Sequence, residues 1–443
     1  MALLDIFRVS ESKEMTATLL NEFILKNEKL SDTRYKPLWD AYNGHYEIFN
    51  RQVDPENPNA PTHKIAIPYA RAMVDTFEGF YLGIPVEFDT EDEKTRNFVY
   101  YLDSYNSLSS QTADLSTLVS VFGRAYEMYY TNEDAELCVA VLSPMEAFII
   151  YDESITPKPL YFVRYYVDSD NVKRGSISDG QNVRHFVFKP TLEWTDEPVP
   201  HNFAGVPATE FCQSTSRHGL FEGSMSEINA VNETISNKAD DINFFSNVPL
   251  MVKGAKVDPD QLADMIHKRI LNLYGKGAED TDAKFLSKPT NDAMQENFLD
   301  RLNKEIYAKS MIADITDVNF GTSSGIALKY KLLSMSNLAK TKERMFTAGF
   351  ARRYKLLFSH PVSGMDPDAW VGITYRFTLN YPVDIAGEAE AVNQLTGIVS
   401  HRKLLQLLSF VSDEDAELEQ IEREADPAAY GVDFATNRTG GDA

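Results

Sequence analysis

The sequence predicts an α+β fold, with helices and an antiparallel β unit in separate stretches of the chain. Three observations carry that prediction. Apolar residues recur at spacings of three and four in the first 125 residues and again after residue 220. From about 126 to 212 the pattern changes to short β-rich runs divided by turn signals. The regular strand–helix alternation of a parallel sheet is missing.

Taken in order, residues 13–50 read as helices, with Leu19, Leu20, Phe23 and Ile24 on one face and an end near Tyr42-Asn43-Gly44. Residues 54–63, with three prolines and two asparagines, read as a loop. Ala70, Met73, Val74 and Phe77 mark a helix over 68–82, and 92–125 is again helical in pattern. The β runs follow: YEMYYT, LCVAVLS, AFIIYD, LYFVRYYVD and HFVFKP, with turn signals at Asp168–Asn171 and Asp179-Gly180.

In residues 225–245 the apolar positions Met225, Ile228, Val231, Ile235, Ala239, Ile242 and Phe245 form one narrow stripe on an otherwise polar helix. Residues 294–312 repeat the idea, with Met294, Phe298, Leu302 and Ile306 at strict fours. About 45 residues of mixed strand and turn lie between, with a short helix around Gln261–Lys268. Two such helices around a small β insert suggest a stalk with a knob at its tip. So narrow a stripe buries little within its own chain, so neighbouring subunits are expected to supply the rest; an ordinary two-helix hairpin in a monomer is the other reading.

A small-residue loop, Gly321-Thr322-Ser323-Ser324-Gly325, then opens into a helical pattern loaded with cations. From Ser324 to Phe358 eight basic residues stand against one acid, Glu343. Continuous, this helix would run about 50 Å at 1.5 Å per residue, with a break expected near Ser334–Asn337. Residues 371–383 alternate like a strand returning to the earlier sheet. Residues 386–425 read as helices, the last capped by Ser412 with acids in its first turn, and the tail beyond 427 is aperiodic.

The chain has 443 residues and a formal charge of −23, with 43% hydrophobic and 12% aromatic residues. That is the balance of a folded protein, and its acidity argues against a general nucleic-acid coat. Cys138 and Cys212 are far apart in no CxxC spacing, which points to a reducing compartment without a disulfide framework. Neither a secretory signal nor a stretch of 18 apolar residues is present, so no membrane association is expected.

Sought enzymatic motifs are missing. No GxxxxGK[ST] phosphate loop, GxGxxG, HExxH or GxSxG occurs, and the eight histidines are scattered. Catalytic residues, a cofactor and a metal are therefore not expected. The exception to the acidic composition, residues 319–346, carries mobile cations and exposed donors suited to phosphate contact: Lys329, Lys331, Thr322, Ser323 and Ser324. None reads a base edge well in such a loop, so any DNA contact is expected to be sequence-independent. The plainer reading makes the loop a connector and the lysines an exposed helical face.

At these residues the chain resembles the SPP1-type portal proteins of tailed bacteriophages. The likeness runs through Tyr42-Asn43-Gly44, Val74-Asp75 to Val86, and Ile312–Asp317 leading into NFGTSSGIALKYKLL. It continues through Lys342-Glu343-Arg344, Gly397–Ser400 and the acidic Asp413–Glu424 helix. It departs at Pro68 and at His401-Arg402-Lys403. The resemblance implies a portal fold: wing at 1–220, stem helices at 221–246 and 291–314, and clip at 247–290. Residues 315–385 would hold the tunnel loop, long basic helix and returning wing strand, 386–426 a helical crown, and 427–443 a disordered tail. It also implies a ring, typically of twelve subunits, at one capsid vertex of the virion, assembled in the host cytoplasm. Its central channel would pass double-stranded DNA for packaging and ejection. The implied partners are a terminase that supplies ATP hydrolysis, a head–tail adaptor, and capsid and scaffold proteins. Asn319, Phe320 and Gly321–Gly325 would match the tunnel loop facing DNA, with Lys329 and Lys331 as phosphate contacts. Two other readings stay open on sequence: a capsid-associated adaptor without a channel, and a DNA-processing enzyme with a cryptic carboxylate site.

Overall fold

In the computed structural model the amino-terminal apolar rows become helices. The structure describes residues 6–53, 55–56, 61–246, 250–253, 282–285, 292–315, 325–381, 385–408, 411 and 414–425. Strand β1 (Phe7–Arg8) precedes α1 (Ala17–Leu30), whose N-cap hydroxyl, Thr16 Oγ1, accepts from the Leu19 amide at 3.2 Å. As the spacing predicts, α1 buries Leu19, Leu20, Phe23 and Ile24. A π-helical turn at Ser31–Tyr35 leads into α2 (Lys36–Tyr42), which stops at Asn43.

Helix α3 (Tyr69–Tyr81) buries Met73, Val74 and Phe77, and its N-cap position is Pro68, which makes no side-chain cap. After β2 (Glu87–Asp89), α4 (Glu93–Asn106) starts at Asp92, whose carboxylate accepts from the Thr95 amide at 2.8 Å. α5 (Leu108–Phe122) follows. The helical stretch expected to run to 125 is thus broken at Ser107 (φ +53°) and ends at Gly123 (φ +82°). A Cβ at Gly123 would lie 2.1 Å from the Arg217 carbonyl oxygen, so the chain turns into the sheet only with glycine there.

The β region forms two sheets from β3 (Arg124–Thr131), β4 (Leu137–Leu142), β5 (Ala147–Tyr151), β6 (Pro159–Val167), β7 (Lys173–Ser178), β8 (Asn182–Phe188), β9 (Leu192–Trp194), β10 (Val199–Pro200) and β11 (Ala208–Cys212). The larger runs β1-β5-β6-β7-β8-β10, with β9 also on β8; the smaller runs β11-β3-β4. Only the β1–β5 pair among these is parallel. Two-residue periodicity sends Phe148, Ile150, Val163, Tyr165, Ile177 and Phe186 to one face, beneath α1. The other face puts Ala147, Ile149 and Phe162 against Tyr126, Val206 and Ala208 of the smaller sheet and its approach.

The predicted stalk is a helix pair, α6 (Met225–Ser246) and α7 (Asp292–Ser310), bracketing the antiparallel strands β12 (Leu250–Lys253) and β13 (Asp282–Phe285). The Gln261–Lys268 helix lies outside the described residues. The strict-four row on α7 is only partly the inward face. Leu299 and Ile306 are buried, whereas Met294 is 66% and Phe298 48% exposed; on α6, Ile228 and Val231 are buried while Ile242 is 63% exposed. A two-helix contact needs one seam, and the exposed members of both stripes lie outside it.

The polar side of α6 also has a partner. Asn232, Ser236 and Asp240, four residues apart, accept from the amides of Ile67 (2.9 Å), Ile65 (2.9 Å) and His63 (2.7 Å). Two extended residues span about 6.6 Å and four helical residues about 6 Å, so the ladder stays in register.

Helices α8 (Gly325–Lys331) and α9 (Leu333–Ser359) follow. The break expected near Ser334–Asn337 falls at Leu332 (φ −84°, ψ −3°). α9 carries Phe346, Phe350, Tyr354, Leu357 and Phe358 into two apolar clusters with α4, α5, β3 and β11. Each such side chain contributes about 2 kcal/mol by burial. The helix lies on β11 because residue 349 is glycine: a Cβ there would meet the Phe211 ring at 2.3 Å. The strand expected over 371–383 shortens to β14 (Thr374–Arg376), and it pairs with β2 instead of returning to the main sheet.

The body comprises 1–314 and 332–379; a second compact unit comprises 315–331 and 380–443. The second holds α8, α10 (Ile385–Leu395), α11 (His401–Leu405) and α12 (Glu414–Ala425). Ser400 caps α11 and Arg402 pairs with Asp415 of α12 at 2.7 Å. The Ser412 cap and the tail beyond 427 lie outside the described residues.

Candidate nucleic-acid interface

The cations of residues 324–358 divide into two populations that the sequence does not separate. Those of α8 face water: Lys329 and Lys331 are exposed, with Tyr330 74% exposed between them. Gly325 is the first residue of α8, while Asn319, Phe320, Gly321, Thr322, Ser323 and Ser324 lie outside the described residues. On α9, Lys340, Arg344 and Lys355 are also exposed. Lys340 pairs with Glu343 at 2.6 Å, and the Lys355 ammonium lies 5.8 Å from the Trp370 ring centre.

The inner cations of α9 are structural. Lys342 is fully buried, and its ammonium donates to Glu78 Oε1 (2.7 Å), the Ser120 hydroxyl (2.8 Å) and the Ser116 carbonyl (3.0 Å). All three protons are placed. The aromatic rings of Phe77, Tyr81 and Phe346 surround it at 5.2–5.4 Å. Burial pushes the Lys342 pKa down to about 8, against the pull of Glu78.

Eleven residues on, three helical turns along the same side, Arg353 is equally buried and grips the carboxylate of Glu127 on β3 with both Nε (2.9 Å) and a terminal nitrogen. Tyr129 donates to the same carboxylate at 3.0 Å, and the Arg353 guanidinium packs 4.5 Å from the Phe350 ring centre. The Arg353 pKa is raised: burial works against the charged form, and Glu127 more than offsets it. Arg352 donates to the carbonyls of Ala208 (3.1 Å) and Val206 (3.2 Å). A third buried group completes the frame of the body. Glu210 on β11 takes a bidentate pair from Arg217 (2.9 and 2.8 Å) and a hydrogen bond from Tyr151 (2.7 Å). Burial alone would raise the Glu210 pKa, but Arg217 and Arg124 bring it down to about 2.

Chemically, the exposed set can contact phosphate and the buried set cannot. Sequence reasoning missed Lys342–Glu78 and Arg353–Glu127 because the partners are 264 and 226 residues apart. One signal was available: Lys342, Phe346, Phe350 and Arg353 share the spacing of the apolar face.

A family model for phage portal proteins of the SPP1 Gp6-like kind matches residues 21–429. The chain belongs to that family. A portal protein of Clostridium phage phiCD119 is 21% identical over 421 residues, which cover 87% of this chain and 90% of the relative. Two solved chains are also similar to this one. One is from the neck of an empty GTA particle computed with C6 symmetry, at 12% identity and TM-score 0.46 over 80% of this chain and 90% of that one. The other is from the neck of a native GTA particle computed with C12 symmetry, at 13% identity and TM-score 0.46 over 77% and 90%. As a phage portal protein the chain is a structural component of the virion's portal vertex, not an enzyme. No described helix is long and apolar enough to cross a membrane.

Proposed function

We propose that this portal chain assembles into a closed ring, twelve copies in its finished form, at one vertex of the capsid. Double-stranded DNA passes through the central channel during packaging and ejection without sequence preference. The observation that carries this reading is the family match along nearly the whole chain. Two features of the chain agree with it: exposed Lys329 and Lys331 after a glycine- and serine-rich segment, and the apolar side chains left outward on the α6–α7 stalk.

In this reading residues 319–325 narrow the channel, and Lys329 and Lys331 make transient phosphate contacts. The stalk helices pack between subunits, with 247–290 as the clip that receives the terminase and later the head–tail adaptor. Residues 386–426 form the crown toward the capsid interior, where capsid and scaffold proteins meet the ring during assembly in the host cytoplasm. An overall −23 per chain keeps phosphate from adhering to the walls, so the cations act as brief contacts on a repelling surface.

The test is Lys329→Ala with Lys331→Ala in a packaging assay. Rings should form normally, DNA retention should weaken, and its dependence on salt should flatten, because fewer counterions are released. Undiminished packaging with an unchanged salt dependence overturns the role of these lysines, and failure of the rings to assemble makes them structural.

A further inference from the structure

A cleft of about 750 Å³ in the body is lined by residues of both sheets. On the shared side the larger sheet is apolar at Ile149 and Phe162, and then changes character along the same face. Arg164 on β6 lies directly opposite Ser176 on β7, which lies opposite His185 on β8. Neighbours across strands stand about 4.8 Å apart with side chains on one face, so the row sets a guanidinium, a hydroxyl and an imidazole side by side. Among the described residues no aspartate or glutamate lines the cleft, in a chain with 66 acids. Apolar side chains of Met128, Val183, Val199 and Phe203 form its other walls.

The cationic groups are not equally available. Arg174 is paired with Asp168, and His185 with Asp196 at 2.6 Å. His201 is committed through both nitrogens: Nδ1 accepts from the Phe203 amide at 3.1 Å, and Nε2 donates to the Asp179 carbonyl at 3.0 Å. The Arg164 guanidinium has no hydrogen bond or ion pair among the described residues; it stacks on Tyr166, 5.1 Å from the ring centre, and its charge acts on the Tyr130 hydroxyl. The hydroxyls of Ser176 and Ser178 are likewise without a protein partner there.

We propose that this cleft binds an acidic peptide: an extended segment of another protein chain whose glutamate or aspartate carboxylate pairs with Arg164, with apolar neighbours on the walls. One uncommitted guanidinium matches the single charge of a carboxylate and offers two parallel donors to it. A phosphomonoester carries −1.5 to −2 and would leave charge unmatched. This site is independent of the channel and of the lysines of α8.

The experiment measures fluorescence anisotropy of the purified full-length protein with a fluorescein-labelled acetyl-Val-Leu-Glu-Phe-Val peptide, and with the same peptide carrying Gln for Glu. The Glu peptide should bind about tenfold or more tightly than the Gln peptide, and Arg164→Gln should erase that difference at an unchanged melting temperature. A second variant, Ser176→Asp, supplies an internal carboxylate to Arg164 and should abolish binding of the Glu peptide. The proposal is overturned if neither peptide binds, if both variants bind the Glu peptide as the wild type does, or if ADP displaces it more effectively than unlabelled peptide.

Discussion

A fully buried ammonium has three protons to place, and Lys342 places them on Glu78, Ser120 and the Ser116 carbonyl. Removing one partner strands the other charge, so Lys342→Met is expected to cost about 3–5 kcal/mol. In a double-mutant cycle with Glu78→Leu, the pair should show a coupling of about 1–3 kcal/mol; additive losses in urea unfolding would mean the contact is incidental. The pH dependence has a definite sign. Folded Lys342 loses its proton near pH 8, while an unfolded lysine keeps it to about 10.4. Across that window the unfolded state binds more protons, so stability contributed at this site rises with pH, by up to about 1.4 kcal/mol per unit. Wild-type stability should therefore gain on Lys342→Met between pH 8 and 10, and parallel curves would contradict the burial argument. The sequence displays Lys342 and Arg353 as members of a cationic run. What it hides is that Glu78 and Glu127 wait on α3 and β3 to receive them, since pairing over such separations is decided by packing.

At the scale of elements, the stalk shows how far patterning reaches. Spacing alone placed both helices, because 3.6-residue periodicity is local. It left open which side chains of α7 form the seam within the chain, because that depends on where α6 lies: Phe298 is exposed and Leu299 buried. The break at Ser107, the shortness of β14 and its pairing with β2 were illegible for the same reason, being set by contacts far along the chain. Ile242, Met294 and Phe298 remain outward on this stalk, where subunit contacts are proposed. Ile242→Ser with Phe298→Ser should leave the unfolding of the isolated chain within about 0.5 kcal/mol of wild type, as exposed substitutions do. The same variant should shift the assembled species toward monomer in analytical ultracentrifugation. A large loss of chain stability with assembly unchanged would assign these residues to the chain's own core.

For the whole molecule, the charges describe a division of labour. Buried ion pairs fix α9 against α3, α5 and β3, and the exposed cations of α8 follow a segment rich in glycine and serine. The candidate loop itself was legible in the sequence as composition, a run of small residues before cations. Its position in an assembly was not, because a channel is made by several chains and no single chain encodes its axis locally. Cryo-electron microscopy of the purified, assembled protein tests the central claim most directly. The account predicts a closed ring with an open axial channel whose narrowest point is lined by residues 319–331. Particles without a through-channel, or a ring carrying those residues on its outer surface, would contradict it.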